Sequence, residues 1–179
     1  KGAIVTWKSV DLRNIEKVKL LVSEFAPDGD IELLIANAGS LYLETWPQEN
    51  GPNWNQILSQ TNDNLIPTLA LLESVLSIPT TKKINLHCVI ISSLNAFFPV
   101  AEAPGYSIAK NAQKVLVDVL DDYYKMRKMP SKKIFFSTVF PGFINTGMAL
   151  NYPGPRPFEC SSQKAATIIQ RAIKKKKKI

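Results

Sequence analysis

Apolar residues along the chain follow two alternating patterns, short continuous runs and longer stretches with helical spacing. The short runs, rich in β-branched residues, predict buried strands at residues 2–7, 31–36, 84–93 and 133–140. Stretches with an apolar residue every three or four positions predict helices at 11–26, 57–76, 106–128 and 161–173. Strands that alternate with helices indicate an α/β fold with a doubly wound, mostly parallel sheet and helices on both faces.

Two details refine this outline. Pro67 lies inside the second helical stretch and is expected to interrupt or bend it. Ser161 or Ser162 is a suitable N-cap for the last helix. With 179 residues, the chain is expected to form one domain over residues 1–179.

Composition excludes several classes of protein. Apolar residues make up 45% and charged residues 21%, which is ordinary for a globular protein, and no apolar run approaches the roughly 18 residues of a membrane span. Cys88 and Cys160 are far apart, so we expect neither a disulfide framework nor a metal site. A reducing, cytoplasmic location is therefore expected.

The net charge of +7 depends on one segment, the run from Lys174 to Lys178 at the end of the chain. No aromatic residues alternate with these lysines, and no nucleic-acid-binding motif precedes them, so we expect no nucleic-acid partner. A solvated helix end, where positive charge suits the helix dipole, is the preferred interpretation. Contact with RNA or an anionic membrane is the alternative.

Polar residues and turns follow each predicted strand, namely Asp11, Asn37–Ala38–Gly39, Ser92–Ser93 and Pro141–Gly142. In open α/β sheets, ligands bind beyond the carboxyl ends of the strands. These positions are therefore the candidates for a binding site. The single histidine, His87, lies within an apolar strand and is interpreted as a core or edge residue.

The spacing Tyr-x-x-x-Lys occurs twice, at Tyr106/Lys110 and at Tyr124/Lys128. Only the first tyrosine has a strand-end serine, Ser93, thirteen residues upstream. Tyr106 and Lys110 share one helix face. The expected core stripe is a different one, made of Ile108, Ala112, Val115 and Val119.

A tyrosine beside a lysine can perform acid–base chemistry. Its reference pKa of about 10 is too high for a base at neutral pH, and a nearby cation lowers the pKa by favouring the phenolate. A serine hydroxyl on the other side can hold a substrate oxygen. We therefore interpret Tyr106, Lys110 and Ser93 as a candidate catalytic group, and Tyr124 with Lys128 as ordinary surface.

With these residues in place, the chain resembles the short-chain dehydrogenase/reductase family over nearly its whole length. The matching motifs are "DL" at 11–12, "ANAG" at 36–39, "ISS" ending at Ser93, "YSIAK" at 106–110 and "PGFINT" at 141–146. The resemblance implies an oxidoreductase that uses a nicotinamide cofactor, NAD or NADP, on a small-molecule carbonyl or secondary alcohol. It also implies a homo-oligomer, a dimer or tetramer formed through the two long helices.

The resemblance implies catalytic roles. Tyr106 would be the acid or base, and Ser93 would orient the substrate oxygen. Lys110 would lower the tyrosine pKa and, with Tyr106, contact the nicotinamide ribose. Asn64, with Asn62 as the fallback, would support a water-linked proton relay.

The resemblance also implies cofactor contacts. Asp11 and Leu12 would bracket the adenine ring, and Asn37, Ala38 and Gly39 would line the adenosine ribose. The loop that fixes the carboxamide would supply Pro141, Gly142, Ile144 and Thr146.

One family feature does not occur in this sequence. The glycines do not form the T-G-x-x-x-G-x-G turn that cradles a pyrophosphate. We therefore expect a partial domain whose first two strands belong to a longer chain, which would leave residues 2–7 and one edge of 31–36 unpaired. If the sequence were complete, the alternative would be a degenerate, cofactor-free protein used for interaction.

Overall fold

The computed structural model describes residues 4–43, 51–78, 84–127, 132–150 and 152–175, and its centre is a parallel sheet. The sheet contains β1 (Leu33–Ala36), β2 (Ile84–Ile91) and β3 (Lys132–Val139) in the order β1-β2-β3. In its register, Ala36 of β1 lies beside Ile90 of β2, and Val139 of β3 lies beside Ile91. The predicted α/β fold with parallel strands is confirmed.

Within the described ranges, four helices of eleven or more residues and several short elements accompany the sheet. The long helices are α1 (Ile15–Phe25), α2 (Trp54–Leu76), α3 (Pro104–Arg127) and α5 (Ser162–Lys174). The short elements, none of them predicted, are a 3-10 turn (Leu94–Ala96), β4 (Ile144–Asn145), α4 (Gly147–Leu150) and β5 (Cys160–Ser161), with β4 and β5 paired in parallel. Asn14 and Ser161 cap α1 and α5 by accepting hydrogen bonds from backbone amides three residues further on.

The core lies between the sheet and the helices α2 and α3. Alternate residues of β2 point to this layer, and they pack with buried residues of β1, β3 and both helices: Ala36, Leu72, Val75, Leu86, Cys88, Ile90, Val117 and Phe136. Within β2, His87 is also buried, and its Nε2 shares a 2.9 Å hydrogen bond with Oγ of Ser137. The interpretation of His87 as a core residue is confirmed.

The strand predicted at residues 2–7 is wrong for the part that the structure describes. Residues 4–7 form no strand, and Ile4 is 96% exposed. A strand forms only where a neighbour satisfies its backbone N–H and C=O groups. In the described ranges no strand lies beside this segment or beside the outer edge of β1, where Leu33 and Ile35 remain half-exposed.

The core stripe expected on α3 is also wrong. Ile108, Val115 and Val119 are each at least half exposed, whereas the buried face of α3 carries polar residues such as Lys110 and Gln113. The reason is that the donor atoms of these side chains have acceptors in α2 and at the end of β2, so Lys110 Nζ and Gln113 Nε2 stay hydrogen-bonded when buried. The apolar stripe has the helical spacing that the sequence shows, but it faces outward.

Of the two outcomes expected at Pro67, the interruption does not occur, because α2 is continuous through this residue, and the bend stays a prediction. Pro67 and its neighbour Thr68 are both buried in the helix layer, where tertiary packing outweighs the loss of one helical hydrogen bond.

At the other end of the chain, α5 has Arg171 and Lys174 in its last turn, as the dipole argument expects. Positions 176–178 of the lysine run lie outside the described residues. None of the helices in the described part of the chain combines the length and apolar character that a bilayer crossing requires.

The helices α2 and α3 approach each other closely at Gly105. A Cβ atom at this position would lie 2.4 Å from the carbonyl oxygen of Ile57 and 3.0 Å from Cβ of Gln60. Thr61 of α2 donates a hydrogen bond to the carbonyl of Gly105 at 3.2 Å. Only glycine permits this crossing distance.

We predict that Gly105→Ala lowers the free energy of unfolding by about 1–3 kcal/mol, because the added methyl group overlaps a backbone atom that cannot move independently. Urea unfolding of both variants measures the effect. Gly147→Ala is the control, since a Cβ at Gly147 meets nothing within 4 Å. Equal stability of the two variants would contradict the close crossing.

Candidate active site

The three strands of the sheet end at the same edge, and the motif residues follow them there. Ala36 ends β1 before Asn37, Ile91 ends β2 before Ser92, and β3 ends at Val139 before the loop that contains Pro141. Two hydrogen bonds join the last two strand ends, from Ser92 N–H to the Val139 carbonyl at 2.9 Å and from Leu94 N–H to the Pro141 carbonyl at 3.0 Å.

Ser93 and Tyr106 are brought together above the end of β2. Ser93 caps the 3-10 turn, with Oγ accepting from Asn95 N–H at 3.2 Å, and its hydroxyl is near enough to Tyr106 to act on the pKa of that phenol. Burial raises the pKa of Tyr106, and the Ser93 hydroxyl acts in the opposite direction. The lowered tyrosine pKa expected from the sequence is therefore wrong for this structure, because loss of water around the phenol has the larger effect.

Lys110 is a buried cation one helical turn beyond Tyr106. Its side chain is 4% exposed, and Nζ donates to the Ile91 carbonyl at 2.9 Å and lies 5.4 Å from the Tyr106 ring centroid. Burial lowers the pKa of Lys110 to about 8. Ser92 Oγ donates to the Lys110 carbonyl at 2.8 Å. Two hydrogen bonds therefore join α3 to the end of β2, one donated by the lysine and one accepted by it.

Asn64 connects α2 to the turn that follows β1. Its Nδ2 donates to the carbonyls of Ser40 and Gln60, at 2.9 and 2.8 Å, and its Oδ1 accepts from Ser40 N–H at 3.1 Å. A Cβ on Gly39 would lie 2.6 Å from Asn64 Oδ1 and 3.6 Å from Lys110 Nζ, so the glycine lets the turn approach both side chains. Asn62, the fallback choice, is exposed on α2.

Asn37 and Ala38 precede this glycine in the same turn, exposed and half-buried respectively. Their position at the end of β1 agrees with the motif. Asn64, Gly39 and Lys110 thus form one contiguous group, and Tyr106 joins it through Lys110.

Asp11 and Leu12 lie just before α1. Arg13 binds Asp11 through Nε and a second guanidinium nitrogen, both at 3.0 Å, and its other nitrogen binds Asp63 Oδ1 at 2.9 Å. The hydrogen bonds from Arg13 lower the pKa of Asp11 to about 2. Asp63 immediately precedes Asn64 in α2, so this exposed network ties the segment before α1 to the helix that carries the asparagine.

The loop after β3 contains the remaining motif residues. Gly142 lies under Leu94, with 3.4 Å between its hypothetical Cβ and Cδ1 of that leucine. Ile144 begins β4, and Thr146 Oγ1 donates to the Ile144 carbonyl at 3.3 Å. Gly142 and Thr146 are exposed in this loop, which Pro141 ties to the end of β2 by accepting from Leu94 N–H.

Two buried glutamines were not predicted. Gln60 accepts from Tyr106 N–H through Oε1 at 2.9 Å, and Gln113 donates through Nε2 to the Asn64 carbonyl at 2.9 Å and to Thr68 Oγ1 at 2.8 Å. Both are at most 1% exposed. Glutamine in a helix is usually a surface residue, so periodicity alone could not identify them. Their one signal is that each lies a single helical turn from a motif residue on the same face.

The structure assigns no special chemistry to the cysteines. Cys88 is buried in the core, which raises the pKa of its thiol to about 12, and Cys160 is a half-buried free thiol. Across the described ranges of the chain, no group of three or more His, Cys, Asp or Glu side chains is arranged to hold a metal ion.

Comparisons with known proteins place this geometry in a family. The model of the short chain dehydrogenase family matches residues 2–154. A search of curated proteins finds no significant match.

Solved structures share the fold. An alcohol dehydrogenase from the archaeon Thermococcus sibiricus, complexed with 5-hydroxy-NADP, is 19% identical with a TM-score of 0.71, over 92% of this chain and 66% of that one. A short-chain dehydrogenase/reductase from Vibrio parahaemolyticus is 22% identical with a TM-score of 0.73, over 94% and 69%. A short chain dehydrogenase from Burkholderia cenocepacia, in complex with NADP, is 22% identical with a TM-score of 0.73, over 92% and 65%.

The chain therefore spans about two thirds of the length of these three structures, and at these identities the likeness concerns the fold. The family model covers most of the chain and includes every candidate site residue. On this evidence the chain belongs to the short-chain dehydrogenase family.

Proposed function

We propose that the protein is a nicotinamide-dependent oxidoreductase that interconverts a small-molecule carbonyl and the corresponding secondary alcohol. The observation that carries the proposal is the placement of Ser93, at the end of β2, and Tyr106 beside the buried Lys110, whose Nζ lies 5.4 Å from the Tyr106 ring centroid, at the carboxyl ends of parallel strands. Ligands bind at this edge in folds of this kind. A hydroxyl pair next to a buried cation is suited to binding and protonating a carbonyl oxygen.

In the direction of reduction, Tyr106 acts as the acid. Because burial raises its pKa, the phenol is protonated at neutral pH, which is the form that an acid requires. The substrate carbonyl oxygen accepts hydrogen bonds from Ser93 and Tyr106, and the proton moves from Tyr106 to that oxygen as the carbonyl carbon is reduced. The phenolate that remains is stabilised by the Lys110 ammonium and is reprotonated from it.

A nicotinamide cofactor, when bound, supplies the hydride. The donor set of the site fits its ribose: an ammonium carries three N–H donors, and Lys110 gives one to the Ile91 carbonyl. Gly39 leaves the space beside Nζ without a side chain. The NADP-type ligands of two similar structures support a cofactor of this class, without deciding between NAD and NADP.

The roles of the other residues complete the proposal. Asp11 and Leu12 would hold the adenine, for which the Asp11 carboxylate keeps accepting capacity beyond the three hydrogen bonds that it receives from Arg13. Asn37, Ala38 and Gly39 would line the adenosine ribose. The loop with Pro141, Gly142, Ile144 and Thr146 would hold the carboxamide, and Asn64 would support proton relay to Lys110.

We also propose that the protein is a homo-oligomer, and the exposed face of α3 supports this. Ile108, Val115 and Val119 are 51%, 50% and 60% exposed and follow one another at helical spacing. A helix that exposes an apolar stripe usually buries it against a partner. A cytoplasmic location remains a prediction from the two unpaired cysteines.

Tyr106→Phe is expected to reduce turnover by about 100-fold or more, because the variant lacks the proton that the carbonyl oxygen receives. Cofactor binding should change little, since only one hydroxyl is removed. Turnover is measured on the intact protein with NADPH and NADH and a panel of ketones and aldehydes. Cofactor binding is measured by fluorescence titration.

The control for this variant is Tyr124→Phe, which alters the other Tyr-x-x-x-Lys pair and preserves the packing of that ring on Phe136. Unchanged turnover in Tyr106→Phe would refute the role of Tyr106. Absence of cofactor binding in the unaltered protein would favour the alternative, a cofactor-free protein used for interaction.

Lys110→Met should change how stability depends on pH. The folded chain holds Lys110 with a pKa of about 8 and the unfolded chain with 10.5, so unfolding takes up a proton between these values. The contribution of Lys110 is therefore full above pH 10.5 and is lost as pH falls through 8. The variant should be more stable than the original protein near neutral pH, by up to roughly 3 kcal/mol, and this advantage should shrink as pH rises.

Urea unfolding of both proteins from about pH 7 to about pH 10 tests this expectation. Lys114→Met is the matched control, because Lys114 lies one turn further along α3 and pairs at the surface with Asp118 at 3.0 Å. Parallel stability curves for Lys110→Met and the unaltered protein would contradict the burial effect.

Val119→Lys is expected to reduce the mass of the oligomer in light scattering, because a charge replaces an apolar group in the proposed contact. Asp122→Asn is the control. It raises the net charge by the same one unit, at an exposed position on α3, and should leave the mass of the oligomer unchanged. A monomeric unaltered protein, or full assembly of Val119→Lys, would contradict the proposed interface.

A further inference from the structure

The first turn of α3, which carries Tyr106, has no side-chain cap of its own. The first N–H groups of a helix have no acceptor within it and are usually satisfied by Ser, Thr, Asp or Asn at the N-cap. Here the residue before Pro104 is Ala103, whose methyl group accepts no hydrogen bond. The carbonyl of Ala103 receives the N–H of Ser107 at 3.0 Å. Tyr106 lies one residue before Ser107, so its N–H has no acceptor within the helix and needs one from another part of the chain.

Gln60 of α2 provides that acceptor. Its side chain is 0% exposed, its Oε1 accepts from Tyr106 N–H at 2.9 Å, and its Nε2 donates to the Tyr42 carbonyl at 2.7 Å. The identity of the two partners fixes which end of the amide is oxygen and which is nitrogen. Since both ends are bonded, the side chain cannot rotate without leaving buried polar groups unpaired.

The same part of α2 supports the turn at two further points. Gly105 packs against the Ile57 carbonyl, and Thr61 donates to the Gly105 carbonyl at 3.2 Å. These contacts set how closely the helices approach. The Gln60 hydrogen bond is made to the backbone N–H of Tyr106 itself, so it fixes the position of the Tyr106 backbone, from which the side chain extends.

We propose that Gln60 is a positioning residue for Tyr106, holding its hydroxyl in place near Ser93 through the backbone amide. The inference rests on the proposed function for the role of Tyr106, but the contact on which it depends is structural. Proton transfer and substrate orientation depend steeply on distance, and a displacement of about 1 Å can cost 100-fold in rate. Because the cap comes from a neighbouring helix, the position of Tyr106 depends on how α2 and α3 pack together.

The first variant is Gln60→Met, which keeps the side-chain length and removes both hydrogen bonds. We expect kcat to fall by about 10- to 100-fold with a smaller change in the KM for cofactor, because the hydrogen bonds of Lys110 and of Asn64 to the turn after β1 do not involve the Gln60 side chain. Gln56→Met is the matched control. Gln56 lies one turn earlier in α2 and donates to the Leu43 carbonyl at 3.4 Å, so it reaches the same loop but bonds away from α3.

The second variant, Gln60→Glu, separates positioning from general packing. A protonated carboxyl donates one O–H and accepts through its other oxygen, as the amide does, and burial raises the pKa of the introduced acid. Turnover relative to the unaltered protein should therefore be close to normal at low pH and should fall as pH rises, when a carboxylate oxygen faces the Tyr42 carbonyl. A uniform loss at every pH would overturn the proposal, and this variant also serves if Gln60→Met does not fold.

A readout that needs no turnover separates this inference from the proposed function. Hydrogen exchange of the Tyr106 amide should be about tenfold or more faster in Gln60→Met than in the unaltered protein or in Gln56→Met, because its acceptor is gone. An unchanged exchange rate would overturn the role of Gln60 whatever the activity. Faster exchange in a protein without dehydrogenase activity would instead leave the cap in place and refute the proposed function.

Discussion

The crossing of α2 over the first turns of α3 determines the geometry of the whole candidate site. Polar side chains cross this contact in both directions, Gln60 toward the Tyr106 amide and Gln113 toward the Asn64 carbonyl, and Gly105 lets the backbones meet. A sliding of one helix along the other would leave these buried groups without partners, at a cost of roughly 1–3 kcal/mol for each. The register of the two helices is therefore fixed, and Tyr106 and Asn64 lie at fixed positions relative to each other.

Lys110 connects this helix pair to the sheet. Its ammonium donates to the last residue of β2, and the hydroxyl of Ser92 donates back to its carbonyl, so the strand end and the helix define each other's position. Gly39 then brings the turn after β1 against the same ammonium and against Asn64. Burial of the lysine disfavours its charge, which lowers its pKa, but the same burial places a cation within reach of the tyrosine.

The sequence was sufficient for the parallel strands, for the long helices and for the expectation that Ser93, Tyr106, Lys110 and Asn64 lie near one another, because these depend on local periodicity and on spacing within motifs; their roles stay a prediction. It was insufficient for contacts made across helices. Gln60 and Gln113 look like surface residues in a one-dimensional pattern, and their burial becomes visible only when the second helix supplies partners. The strand predicted at residues 2–7 failed for a related reason, since a strand depends on its neighbour as much as on its own residues. The short β4–β5 pair is too brief for any periodicity to reveal.

The orientation of α3 follows from the same physics. Periodicity indicates that a helix has an apolar face, but the direction of that face depends on what the opposite face must do. In α3 the inward face carries Lys110 and Gln113, whose polar atoms are bonded to α2 and to β2, and the apolar Val115 and Val119 face outward. Apolar surface left in water costs about 25 cal/mol per Å². A helix that buries bonded polar groups on one face therefore has its apolar side available for contact with another protein surface.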